Sequence, residues 1–375
     1  MSRTLLVTND FPPRHGGIQS FVHHLTLGLP ADEIVVYAST WRGADTFDAD
    51  QPYEVVREAT GVLLPTSRVA RRAAEIARSR GCDTVWFGAA APLGLLAAGL
   101  RQRAGIVRAV ALTHGHEVGW AALPGARSLL RRIARHTDVV TYLGEYTRVR
   151  LDRAVGGLTE LRRLAPGVDV ETYHPDVDGV RVRARHGLTD RPVIVCVSRL
   201  VPRKGQDTLI RALPAVRRRV PDAALLIVGG GPHRATLERL ARDTGVAGDV
   251  VFTGSVPGAE LPEHYAAGDV YAMPCRTRNR GLDVEGLGIV YLEASASGLP
   301  VVAGDSGGAP DAVRPGETGF VVPGRDPDRL ADRLVTLLTD RALAARMGAA
   351  GRAWVERDWR WEIQAARLTE LLRAR

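Results

Sequence analysis

Short apolar runs alternate with helix-period segments along the whole chain, and the alternation occurs twice. In the first half LLVTN, IVVYA, DTVWF, VRAVALTH and DVVTYLG have the length and β-branched content of buried strands. Helical patterns lie between or after them, over residues 17–29, 68–80, 93–103, 128–136 and 145–154. Near-continuous apolar strands separated by helices predict a parallel sheet with crossover helices. The Pro- and Gly-bearing segment 165–175 (APGVDVETYHP) then interrupts the rhythm as an interdomain connection does. VIVCVS, ALLIVG, VVFTG, DVYAMP and PVVAG restart it, with helices expected over 206–220, 233–244, 262–267 and from 289 onward. The pattern predicts an α/β protein of two Rossmann-like, doubly wound domains, 1–168 and 169–358. An amphipathic tail helix over 359–375 is a candidate to complete the first.

A length of 375 residues agrees with two cores rather than one. Hydrophobic residues at 45% and charged residues at 25% place the chain among folded globular proteins. Cys82, Cys196 and Cys275 are scattered without metal-ligand spacing and read as small buried hydrophobes in a reducing compartment. The N-terminal residues enter a strand without a leader's long apolar region, so export is not expected. The longest uncharged stretch, 84–100, is broken by Gly88, Pro92, Gly94 and Gly99 and is too short to span a membrane.

The formal net charge of +8 is unevenly placed: residues 57–163 hold 18 arginines against 8 acids. In 128–136, Leu129, Leu130, Ile133 and Ala134 are expected on an apolar face, with Arg131, Arg132 and Arg135 on the other. Such a helix reads either as an ordinary solvated face or as a dock for anionic lipid, at about 1 kcal/mol per basic residue near the surface. The basic segments lack interleaved aromatics, so nucleic acid is not expected as a partner.

Of 50 basic side chains only one, Lys204, is lysine. It lies in SRLVPRKG, just after the strand VIVCV. In so arginine-biased a chain, a retained compact ammonium suggests a phosphate. Glu285-Gly286-Leu287-Gly288-Ile289 places two glycines at a strand-to-helix turn, and Glu293 follows eight residues after Glu285. A helix containing both carboxylates would separate them by roughly 80°, so Glu285 belongs on the loop. Gly286 and Gly288 allow close backbone approach, and the N-terminus of the following helix offers unpaired N–H groups to a phosphate. Arg199 and Lys204 can meet the same phosphates, which fits a nucleoside diphosphate. The runs Gly229-Gly230-Gly231 and Ser306-Gly307-Gly308 are further loops at strand ends, and each alone reads as a tight turn.

The string EGLGIVYLEA resembles the paired-glutamate signature of the retaining glycosyltransferases of family 4, which have the GT-B fold of two Rossmann-like domains facing across a cleft. SRLVPRKGQD resembles that family's donor-diphosphate loop, APGVDVETYHP its linker and FPPRHGGIQ its glycine loop after the first strand. The likeness runs over nearly the whole chain in the expected order. In finer detail TNDFPPRHGGIQSF, THGHEVGWA, LDVEGLGIVYLEA and SGGAPD resemble the actinobacterial members that use GDP-mannose to build phosphatidylinositol mannosides, specifically the α-1,6 step on phosphatidylinositol monomannoside.

The resemblance implies roles residue by residue. Arg199 and Lys204 would hold the donor diphosphate and stabilise its departure; Glu285 would hold hydroxyls of the donor sugar, and Glu293 the nucleoside ribose. Gly286, Leu287, Gly288 and Ile289 would offer backbone N–H groups. His114 would touch the donor sugar, with His116 as its neighbour, and Gly16 and Gly17 would let the first domain approach the phosphates. Asp10 reads equally as an acceptor ligand and as a strand-end cap. No carboxylate is an obvious nucleophile for a double displacement, so the resemblance implies front-face attack. No cofactor and no essential metal are expected, although Asp283 with Glu285 invites a metal reading. The expected partners are GDP-mannose, an anionic phosphoinositide-type lipid acceptor and the inner-leaflet surface of the plasma membrane, with the protein cytoplasmic and peripherally attached. The alternatives are a family 4 transferase with another donor, such as UDP-glucose, or another acceptor, a sugar-nucleotide epimerase or hydrolase, and a basic membrane- or nucleic-acid-binding module.

Overall fold

The computed structural model describes residues 3–115 and 117–373. The chain divides into two compact units, one of residues 1–167 with 361–375 and the other of residues 168–360.

Unit 1 runs β1 (Thr4–Thr8), α1 (Gly17–Leu27), β2 (Ile34–Ser39), α2 (Ala44–Ala49), β3 (Glu54–Glu58), α3 (Ser67–Ser79), β4 (Thr84–Phe87), α4 (Ala97–Ala104), β5 (Arg108–Ala111), α5 (Glu117–Ala122), α6 (Pro124–Ala134), β6 (Val139–Tyr142), α7 (Glu145–Val155) and β7 (Glu160–Arg163). Its seven strands are all parallel, in the order β3-β2-β1-β4-β5-β6-β7. Unlike β1 and β2, which are buried throughout, β3 (EVVRE) is only partly buried and β7 (ELRR) is largely exposed. These polar edge strands carry little hydrophobic signal, so the sequence pattern passed over them.

Unit 2 runs α8 (Val180–Arg185), β8 (Val193–Val197), α9 (Gln206–Arg219), β9 (Ala224–Val228), α10 (Arg234–Asp243), β10 (Val250–Gly254), α11 (Leu261–Ala266), β11 (Val270–Met273), α12 (Ile289–Ala296), β12 (Val301–Gly304), β13 (Gly319–Val322), α13 (Pro327–Thr339) and α14 (Arg341–Asp358). Its parallel sheet has the order β10-β9-β8-β11-β12-β13. In both units the winding direction reverses beside the first strand, between β1 and β4 and between β8 and β11. The carboxyl ends of strands at such a reversal form the natural ligand crevice of an open α/β sheet.

The tail helix α15 (Trp361–Arg373) belongs to unit 1. Its Trp361 stacks on His24 at 4.5 Å between ring centroids, and Leu368, Leu371 and Leu372 are buried. The Arg108 side chain donates to the Leu371 carbonyl at 3.0 Å, and Arg373 pairs with Glu33 at 2.6 Å. Gly28 is the point of closest approach, since a Cβ there would stand 2.3 Å from that of Ala365. The division falls between 167 and 168 and between 360 and 361, one and two residues from the expected limits.

Helix α6 corrects one placement. Leu130, Ile133 and Ala134 are buried, but Leu129 is 40% exposed. At about 100° per residue Leu129 lies about 40° beyond Ile133, at the edge of the apolar face next to Arg132, and the packing leaves it outside the buried stripe.

Candidate functional site

The loops leaving β8 and β11, the two strands at the reversal in unit 2, carry the chemistry. After β8 the chain makes a 3₁₀ turn over Pro202–Lys204 and enters α9 through Gly205 in the left-handed region, φ 78°. A Cβ on Gly205 would lie 2.0 Å from the Pro274 carbonyl oxygen, so only glycine lets this turn rest on the loop after β11. That contact delivers Lys204 to Glu285: Nζ donates to Oε2 at 2.6 Å, with both side chains largely buried. Lys204 and Glu285, read from sequence as facing the diphosphate and the sugar separately, form one ion pair. Glu285 is on a loop, as expected, yet only 6% exposed.

The remaining glycine loops explain that burial. The Glu285 N–H donates to Ser306 Oγ at 3.2 Å and its carbonyl accepts from the Gly308 N–H at 2.9 Å. Cβ atoms on Gly307 and Gly308 would stand 2.1 Å from the carbonyl oxygens of Glu285 and Gly286, respectively. The SGGAPD loop is thus a backbone cradle for the Glu285 segment, more than the tight turn its composition indicates. Gly229 and Gly231 do the same for the loop after β8, where Cβ atoms would meet the Ser198 and Leu200 carbonyls at 2.2 and 2.4 Å. Buried Gln206 donates to Ser198 Oγ at 2.8 Å and to the Arg199 carbonyl at 3.1 Å. Arg199 itself is exposed and has no side-chain partner among the described residues. Asp283 lies against two arginines, Arg203 at 3.5 Å and Arg278 at 3.7 Å. Among the described residues no group of three or more His, Cys, Asp or Glu is arranged to hold a metal ion.

Gly288, with φ 84°, turns the chain into α12, whose first residue is Ile289. Gly286, Leu287, Gly288 and Ile289 therefore form the entry to a helix whose first N–H groups lack intrahelical partners. Glu293 lies farther along α12 and accepts from the buried Tyr265 hydroxyl at 2.6 Å. Burial pushes its carboxyl above the usual carboxylate range, and the Tyr265 hydrogen bond pulls it partly back. Tyr265 was not singled out in the sequence, because a tyrosine on a short helix gives no sign of a carboxylate 28 residues away. Cys196 and Cys275 behave as buried hydrophobes, since burial pushes their thiols up to about 12 and about 11.

In unit 1 the strand-end residues also gather near the reversal. The Gln19 side chain donates to Asp10 Oδ1 at 2.7 Å, and the Asp10 N–H donates to Thr8 Oγ1 at 2.9 Å. Asp10 is therefore held in a strand-end network. Gly16 caps α1, and a Cβ on it would meet Gln19 Oε1, whereas the space around Gly17 is open. His114 lies 2.5 Å through Nε2 from the Gly88 carbonyl; a carbonyl only accepts, so Nε2 carries the hydrogen. Phe21 packs edge-on against its ring. His116 lies outside the described residues.

Comparison with known proteins covers both units. The description Glycosyltransferase Family 4 matches residues 15–172, and Glycosyl transferases group 1 matches residues 181–354. The GDP-mannose-dependent alpha-(1-6)-phosphatidylinositol monomannoside mannosyltransferase of Mycolicibacterium smegmatis is 57% identical over 99% of this chain and 98% of its own. The Corynebacterium glutamicum protein, named for the monoacylated form of that acceptor, is 51% identical over 99% of this chain and 98% of its own. Among solved structures, Anabaena HepE in complex with UDP superposes with a TM-score of 0.84 over 99% of both chains at 20% identity, a likeness of fold.

Proposed function

The chain belongs to glycosyltransferase family 4, with its two Rossmann-like domains of the GT-B type, and from that premise we propose that it transfers mannose from GDP-mannose to phosphatidylinositol monomannoside in α-1,6 linkage. The observation that carries this reading is the buried Lys204–Glu285 pair at the strand reversal of unit 2.

The pair suits a nucleotide-sugar donor. A lysine ammonium has three N–H donors and Glu285 Oε2 engages one, leaving two for phosphate oxygens. Glu285 keeps its second oxygen for sugar hydroxyls, while its charge holds the ammonium in place. Arg199, exposed on the same loop after β8, adds a second cation. As the bond from the anomeric carbon to the diphosphate stretches, negative charge grows on the leaving group, so cations aimed there stabilise the transition state more than the ground state. The helix entry from Gly286 to Ile289 supplies N–H groups for the same charge. Glu293 takes the nucleoside ribose. The reaction retains configuration by front-face attack, with a leaving phosphate oxygen taking the acceptor's proton; no metal and no cofactor enter this scheme. From unit 1, His114 touches the donor sugar, and Gly16 and Gly17 let the backbone approach the phosphates.

Attachment to the inner leaflet is part of the proposal. No helix among the described residues is long and apolar enough to cross a membrane. Helix α6 presents Arg127, Arg132 and Leu129 to solvent, and Leu123 just before it is exposed as well. Arginines around exposed leucines suit an anionic, peripheral lipid surface.

The test is transfer from radiolabelled GDP-mannose with and without phosphatidylinositol monomannoside, followed by solvent extraction, with UDP-glucose in parallel. Label should enter the lipid phase with GDP-mannose and that acceptor alone. Donor turnover without lipid labelling would overturn the acceptor, and transfer from UDP-glucose would overturn the donor.

A further inference from the structure

Glu293 sits in surroundings unlike those of Glu285. Among the described residues no cation contributes to its charge state, and the one group that stabilises its ionised form is the Tyr265 hydroxyl, from α11. Tyr265 is fully buried, and its ring is fixed on two sides. Tyr173, on the segment preceding α8, meets it edge-on at 5.6 Å and 83°, and Tyr271 of β11 lies tilted against it at 5.8 Å. A phenol locked in this way cannot turn its hydroxyl elsewhere. Glu293 itself remains half-buried, and its Oε1 has no partner among the described residues.

We infer that Tyr265 is a positioning residue for nucleoside recognition: its hydroxyl clamps Oε2 of Glu293 so that Oε1 is presented, already oriented, to the ribose diol of the donor. This rests on the reading of Glu293 as the ribose ligand. A glutamate on a helix has three rotatable bonds, and a free carboxylate would have to give up that freedom on binding. A neutral phenol fixes the carboxylate without cancelling its charge, whereas an arginine or lysine there would compete with the ribose hydroxyls for the same lone pairs. The interaction rewards the ribose hydroxyls as a pair, so it separates ribonucleotides from 2′-deoxyribonucleotides.

The experiment compares inhibition by GDP and by 2′-deoxy-GDP in the full-length enzyme, together with KM for GDP-mannose and kcat. The wild type is expected to prefer GDP by about tenfold or more, and Glu293→Gln to abolish most of that preference. Tyr265→Phe should reduce the preference about threefold to tenfold and raise KM by a similar factor, with kcat little changed. A purely structural role for Tyr265 would lower active enzyme without touching the GDP to 2′-deoxy-GDP ratio. On the Glu293→Gln background, Tyr265→Phe should have no further effect on that ratio, and this double variant leaves no unpaired carboxylate if the single one folds poorly. Loss of preference in Glu293→Gln with full preference in Tyr265→Phe overturns the positioning role. Unchanged preference in Glu293→Gln overturns the ribose reading beneath it.

Discussion

Lys204→Met is the most direct perturbation of the site, since it deletes the ammonium and keeps most of the stem's volume. Glu285, 6% exposed, then loses the partner 2.6 Å from its Oε2 and keeps only backbone contacts to the SGGAPD loop. Breaking a buried ion pair from one side costs about 3–5 kcal/mol, because a desolvated charge is left unpaired. For a unit of about 200 residues each kcal/mol lowers Tm by about 2–4 °C, so the low end of that range predicts a drop of about 6–12 °C for unit 2. Lys204→Met/Glu285→Gln removes both charges and should recover most of the loss, giving a strongly non-additive cycle. Calorimetry of the four proteins without nucleotide reads the cycle, and titration with GDP reads function. A lost charge-assisted hydrogen bond to phosphate, about 1.5–3 kcal/mol, weakens GDP binding about 10- to 150-fold in every variant lacking Lys204, including the re-stabilised double one. Additive Tm changes would refute the claim that the pair is buried and mutually dependent, and unchanged GDP affinity in the double variant would refute the diphosphate role.

Four further outcomes follow from the same geometry. Gly205→Ala puts a Cβ 2.0 Å from the Pro274 oxygen at φ 78°, so it should destabilise unit 2 by about 2 kcal/mol or more and weaken GDP binding, read by denaturant unfolding and titration. Gly17→Ala meets open space, so Tm should stay within about 1 °C of wild type; a fall in kcat/KM without that stability change would mark a ligand passing close to this backbone. Glu293 has a folded value above its ordinary 4.5, so its ionised form costs stability as pH rises through that raised value, and the cost vanishes below 4.5, where the carboxyl is protonated in both states. Glu293→Gln, neutral throughout, should therefore unfold at higher denaturant than wild type at pH 7.5 and lose that advantage by pH 4. Truncation after Arg360 removes three buried leucines of α15, worth about 2 kcal/mol each, a sum comparable to a domain's whole stability; limited proteolysis should find unit 1 unfolded.

Strands buried on both faces announced themselves: β1, β2, β8, β9 and β12 fall within a residue or two of the apolar runs that predict them. Strands β3 and β7 did not, because both lie at the edges of the sheet and both are rich in charge. The segment that carries Glu285 was legible as a glycine-bearing turn before a helix, since Gly288 and the entry into α12 are local features. The burial of Glu285 was not, because it depends on Ser306, Gly307 and Gly308 folding back over it. Leu129 was assigned to the wrong face because the period alone admitted it, and only packing showed that the stripe through Leu130, Ile133 and Ala134 excludes it.

The sequence by itself determined what acts over a few residues: the alternation of strand and helix, the glycines at strand ends, and a lone lysine beside one of them. Tertiary structure decided which of these meet. Lys204 and Glu285 are 81 residues apart, and Tyr265 and Glu293 are 28 apart. The first pair comes together because β8 and β11 lie side by side and because Gly205 has no Cβ to hold their loops apart, the second because α11 and α12 flank β11. Periodicity measures burial along one element, whereas a contact between two loops depends on strand order and on the space between backbones, and neither is written in any local stretch of residues.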